Sequence, residues 1–267
     1  MGHVLQMLSE GEKIYGVTSL DNLLYVLRNK LSEEIEVFDT DTYSLQHCLT
    51  VPKLGNKSDI VACPHNRCAY ISDSSHNSIH RLALPYGTSV TNWPVSNEPT
   101  RLSVTGSHNI LVTCRDVKKI KEFNTNGKLL RQLQLPLDIA SPSHTIQLSS
   151  GQFVLCHGGP ANPVHRVCLV DSEGRVVQSY GGARGSGSRQ LHFPCHLAVD
   201  RNDFAFVADM HNHRVLLLSP SLSHVHDVVR RRQFDGGLVR LCFDANKRLL
   251  CVAFNENRRG RVAVVAV

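Results

Sequence analysis

The sequence predicts an all-β protein, a six-bladed β-propeller with four-stranded antiparallel blades and a ring closed by the N-terminal strand. A single domain over residues 1–267 is expected. Three observations predict it. Short apolar runs separated by turn residues recur with a period of about 44 residues, the length of one propeller blade. No segment of useful length carries a helical hydrophobic period. The last repeat stops after three strands at Val267, while an apolar run, HVLQML at 3–8, stands before the first repeat.

The repeats follow in order at 14–38, 57–84, 99–123, 142–170, around 195, and 238–265. Each has β-rich runs broken by turn pairs such as Asp21-Asn22, Asn66-Arg67, Asn126-Gly127 and Glu173-Gly174. A fourth strand follows most copies: SLQHCLTV, TSVTNWPV, KLLRQLQL, RVVQSYGG and HVHDVVRR. The sixth copy lacks one. Pairing it with the N-terminal run would supply the missing strand and remove both exposed edges.

Hydrophobic residues make up 42% and charged residues 19%, a globular composition rather than a disordered one. Aromatics are only 6%, so the core must be aliphatic. Nine cysteines with no secretory leader or membrane-length apolar run point to free thiols and a cytoplasmic protein. Gln6 sits where N-myristoylation prefers Ser or Thr, and Asn56-Lys57-Ser58 is expected to be silent as a glycosylation acceptor. A monomer is expected, with no membrane partner.

The stretch FVADMHNHRV (206–215) carries a family resemblance. Together with the Gly-rich lead-in from Tyr180, Phe193-Pro194, Ala198-Val199-Asp200, Ala208-Asp209 and Asn212-His213-Arg214-Val215, it resembles an NHL repeat. The second blade keeps Asp73, whereas Cys114, His157 and Phe254 replace Asp209 elsewhere. Asp209 and Asn212 are expected to organise a tight turn. The resemblance implies either a recognition module for RNA or protein, as in TRIM-NHL proteins, or a zinc lyase of the peptidyl-α-hydroxyglycine type. The chain has no RING or B-box cysteine pattern, so ligase activity does not follow.

Sorting charges by loop type divides the two faces. Loops between second and third strands, together with those linking consecutive blades, carry the cations, and the candidate binding set is Lys118, Lys119, Arg214, Arg230, Arg231, Arg232, Arg258, Arg259 and Arg261. The opposite face receives Asp39, Asp171, Asp200 and Asp244 among other acids. A basic face suits phosphates or acidic peptides, and Phe193, Tyr180 and Phe234 could stack on unpaired bases. A protein or RNA partner is therefore expected, with no cofactor and no catalytic residue.

Aligning the innermost strands places Gly16, Asp59, Arg101, His144, His196 and Arg240 around one pore mouth. Two adjacent histidines suggest zinc, but a third ligand is not evident and the flanking arginines repel a metal. Two readings stay open: an internal Asp59–Arg network, or an anion held by Arg101 and Arg240. A pore-mouth enzyme of lyase or lactonase type is the alternative function. CPHNRC (63–68) reads as a hairpin turn rather than half a zinc site, and Cys114, Cys156 and Cys251 as small buried hydrophobes.

Overall fold

The structure, a computed structural model, describes residues 2–8, 10–28, 34–55, 59–230, 233 and 236–267. Six antiparallel sheets stand around a central pore, and five of them are formed by four consecutive strands. Blade one comprises Ile14–Leu20, Leu23–Arg28, Glu34–Asp39 and Leu45–Thr50. Blade two comprises Asp59–Cys63, Cys68–Asp73, Ser78–Ala83 and Val90–Pro94. Blade three comprises Arg101–Val104, Ile110–Cys114, Lys119–Phe123 and Leu129–Gln134. Blade four comprises Pro142–Gln147, Phe153–His157, Val164–Val170 and Val176–Ala183. Blade five comprises Pro194–Val199, Ala205–Asp209, Arg214–Leu218 and His224–Val229.

Blade six has three strands of its own, Gly237–Asp244, Leu249–Glu256 and Arg259–Ala266. His3–Met7 completes it, pairing antiparallel with Arg259–Ala266. The expected closure by the N-terminal strand is thus observed. Inner strands contact each other in ring order, the sixth returning to the first.

Second strands read as unbroken apolar runs because both their faces are covered by neighbouring blades. In blades two, three, four and five every residue of this strand is buried. Fourth strands form the rim and are mostly exposed, as in Leu129–Gln134. The core accordingly lies in the seams between blades rather than in one central mass. Ile14, Val17 and Val26 of blade one pack on Cys251, Ala253, Val262 and Val264 of blade six. Cysteines 63, 68 and 114 fill the seam between blades two and three as small apolar groups.

The acids on the face opposite the second-to-third-strand loops have a local cause. Asp200 Oδ1 accepts the N–H groups of Asn202 and Phe204, and Asp244 Oδ1 those of Asn246 and Lys247. Asp39 and Asp171 close their turns the same way. These carboxylates shape hairpins, since a short acceptor can satisfy two turn amides at once. Among the described residues no helix is long and apolar enough to cross a membrane.

Candidate functional site at the pore mouth

The six aligned ring residues do occupy equivalent positions. Gly16, Asp59, Arg101, His144, His196 and Arg240 each pair with the second strand of their own blade at the same level, opposite Leu27, Ser72, Thr113, Cys156, Ala208 and Ala253. Asp59, His144, His196 and Arg240 are buried. Arg240 Nε donates to Asp59 Oδ1 at 3.0 Å, and Leu102 N–H donates to Asp59 Oδ2 at 3.1 Å. The internal Asp59–Arg network therefore exists, with Arg240 as its arginine. Burial, then the nearby Arg101 charge, pulls the Arg240 guanidinium down to about 10 despite Asp59.

His144 and His196 stack with ring centroids 4.0 Å apart. His144 Nδ1 accepts the Leu197 N–H at 3.1 Å, so its proton sits on Nε2, which lies 3.1 Å from Leu102 O. His196 Nδ1 accepts the Leu241 N–H at 3.3 Å. Burial pushes the His144 imidazole down to about 4, and burial with the neighbouring cations holds His196 well below its ordinary value. A third possible ligand does join the two histidines. Asp59 reaches them from across the pore, with one ligand atom of each residue lying within 4.8 Å of the others. The donor set does not fit a metal as arranged. His144 has both nitrogens engaged, and Asp59 is held by Arg240 and Leu102.

Above this ring lies a cavity of about 600 Å³. It opens between the starts of the inner strands and the loops joining second to third strands, so it belongs to the face expected to be basic. Four cations, Lys13, Arg101, Arg115 and Arg240, line it against two carboxylates, Glu98 and Asp116. Arg115 is expected on the basic face from its loop, but not as part of the candidate binding set. It directly follows a second strand, Ile110–Cys114, and no repeat alignment marks that position as facing the pore.

The candidate binding set divides. Arg214 is not a free surface cation. Its Nε donates to Asp209 Oδ2 at 2.9 Å and its guanidinium is only 18% exposed. Arg259 and Arg261 both clasp Glu10, which joins the N-terminal segment to blade six. Arg230 lies 3.8 Å from Asp227. Lys118 donates to Leu137 O at 3.1 Å, Lys119 is half-buried, and Arg258 is exposed. Arg231 and Arg232 lie outside the described residues, as does Phe234. Arg259 and Arg261, expected on the basic face, instead share one carboxylate, which cancels one of their two charges.

Asp209 does more than shape its own turn. Its Oδ1 accepts the His192 N–H at 2.7 Å from the incoming connector, and its Oδ2 accepts Asn212 Nδ2 at 2.7 Å. Met210–Asn212 forms one turn of 3-10 helix, closed by His213 in the left-handed region. Asp73 repeats the device, taking the Gly55 N–H at 2.9 Å and the His76 N–H at 3.0 Å. Burial pushes the Asp73 carboxyl up, but these donors outweigh it and hold the group below its ordinary range.

Other blades tie their connectors with different chemistry. Buried Arg28 donates to Glu12 O, Gly260 O and Glu36. Buried Lys121 donates to Ser96 Oγ and Asn97 Oδ1. Asn255 both accepts from Ile14 N–H and donates to Ile14 O. Sequence reasoning missed these three because they share a task and not a residue type.

No family model and no curated protein matches the chain. Solved structures do share its fold. One is virginiamycin B lyase from Staphylococcus aureus, 10% identical, with a TM-score of 0.66 over 98% of this chain and 99% of that one. Another is the Myceliophteria thermophila Cps50 (Swd1) β-propeller domain, 9% identical, with a TM-score of 0.69 over the whole of both chains. A third is a protein of unknown function from Bacteroides caccae, 16% identical, with a TM-score of 0.64 over 87% of this chain and 86% of that one. At such identities the likeness establishes the fold alone: this chain is a six-bladed β-propeller.

Proposed function

We propose that this propeller is a non-catalytic recognition module that docks an acidic segment of a partner protein on the face carrying the pore mouth. The fate of the cations carries the reading. Arg28, Arg166, Arg214, Arg259 and Arg261 are engaged by carboxylates within the chain. Lys13, Arg101 and Arg115 instead surround one cavity, and Lys118, Lys119 and Arg258 lie on the same face. An RNA path needs cations in a track, to neutralise successive phosphates. Here the three that line the cavity converge on a point beside apolar walls, which suits protein carboxylates.

The NHL resemblance belongs to this reading. Asp209 and Asp73 anchor the loops that present the face, so the motif builds a platform rather than chemistry. A lyase-type enzyme is supported by fold likeness only.

Fluorescence anisotropy tests the proposal with two labelled probes, a peptide alternating Glu with Leu and a single-stranded RNA pool, across roughly 50 to 200 mM salt. The peptide is expected to bind, and charge reversal at Lys118 and Lys119 together to weaken it by about tenfold. Selective RNA binding that survives competitor, with no peptide binding, would replace the protein reading with an RNA reading.

A further inference from the structure

Three polar groups of the pore-mouth cavity have no hydrogen-bond partner among the described residues. Arg101 Nε, Arg115 Nε and Ser143 Oγ are all buried and unpartnered. Ser143 is 7% exposed, and all three residues line the cavity. Folding leaves buried polar atoms unpaired only at a cost, and such groups mark places where a ligand completes the bonding. The two guanidiniums also repel each other. Burial first, and then the Arg101 charge, lowers the Arg115 pKa, so Arg115 sits where an anion would relieve both effects.

Among the described residues Arg115 has no side-chain hydrogen-bond or ion-pair partner. Its guanidinium rests 5.9 Å from the Phe193 ring centroid, which holds the fork in place. Among the described residues, the partner of Arg101 is Thr100 O, which accepts from Nη1 at 2.6 Å. Beside these donors, Phe193, Met210, Pro142 and Val239 give the cavity apolar walls. A bare inorganic ion would leave those walls wet, and about 600 Å³ is room for a larger guest.

We infer that the pore mouth is a binding site for a carboxylate attached to an apolar body, with Arg101 and Arg115 holding the carboxylate, Ser143 adding a hydroxyl bond, and Phe193 and Met210 covering the body. The carboxylate has two possible sources. One is a small organic acid. The other is the free C-terminus of a partner chain, and that form rests on the recognition reading above.

Isothermal titration calorimetry on the full chain decides, using N-acetyl-leucine, a hexapeptide ending in leucine with a free C-terminus, and the same peptide amidated. The free acids are expected to saturate, with the amide at least about tenfold weaker, because losing the charge removes the guanidinium bonds. Arg115→Gln is expected to weaken binding by about tenfold, and Arg115→Lys by less, since lysine keeps the charge and loses the fork. Lys128→Gln, on an exposed turn of the opposite face, should change nothing. Thermal melts of each variant verify folding.

Equal affinity for N-acetyl-leucine and the peptide assigns the site to small acids. Preference for the peptide assigns it to a chain end. Equal binding of acid and amide, no effect of Arg115→Gln, or no saturation by any probe up to about 10 mM overturns the inference. Loss of the Glu-Leu peptide on reversing Lys118 and Lys119, alongside those negative results, would leave the recognition reading standing without this site.

Discussion

Arg240 of blade six and Asp59 of blade two meet across the pore, Nε to Oδ1 at 3.0 Å, with blade one between them. Blade one offers only Gly16 at that level, and the guanidinium reaches past it. Both side chains of the pair are nearly sealed, 6% and 2% exposed. The pair ties non-adjacent blades, and its Arg240 lines the cavity. Its stability value lies in its completeness, because either partner left alone would be a buried, uncompensated charge.

Removing one partner should therefore be costly. Asp59→Ala is expected to lower the unfolding free energy by about 3–5 kcal/mol, and Asp59→Ala with Arg240→Met to recover part of that loss. Urea unfolding of the three variants checks it. A single-variant loss below about 1 kcal/mol would mean that Arg240 is solvated without Asp59.

Gly16 is required by proximity. A Cβ there would stand 2.8 Å from Ile60 N and 2.6 Å from Ile60 Cγ2 of the next blade. Backbone cannot yield as a side-chain tip can. Gly16→Ala is expected to cost roughly 1–3 kcal/mol by overpacking the first seam. A thermal melt within error of the parent protein would refute this.

Acid should destabilise the ring through its histidines. Burial lowers His144 in the ring and His157 in the strand beside it to about 4, and burial with neighbouring charges holds His196 well below its ordinary value. In the unfolded chain a histidine titrates near 6.5, so below that pH unfolding takes up protons that the native state refuses. The contribution is complete above about pH 6.5 and falls as pH drops toward 4, by about 1.4 kcal/mol per unit for each histidine. Urea midpoints between about pH 6.5 and 5 measure the slope before carboxylates intervene. His144→Asn should make that slope shallower by one proton, and an unchanged slope would remove His144 from the account.

The Asp209 anchor predicts a local effect. Asp209→Ala strands the His192 N–H and leaves Arg214, which is 18% exposed, without its carboxylate. A loss of about 3 kcal/mol or more is expected. Hydrogen exchange should quicken at the His192 amide before it quickens in the second strand of blade five. Uniform acceleration across the blade would show that Asp209 holds the whole sheet rather than the connector.

The sequence by itself determined the blade count, the closure by the run at residues 3–8, and the six ring positions. Those follow from local chemistry: period-two patterning, turn residues, and apolar runs buried on both faces. Only the tertiary structure decided which charges are available. Glu10 neutralises Arg261 from 251 residues away, and Asp59 meets Arg240 across 181. Loop-by-loop sorting placed Arg214 and Arg259 on a basic face, but ion pairing is settled by distance in space, and no periodicity encodes it. Loop sorting puts Arg115 on the basic face but gives it no part in the cavity, for the same reason. Its importance comes from what it lacks, an acceptor for a buried Nε, and that absence exists only once the blades have closed around it.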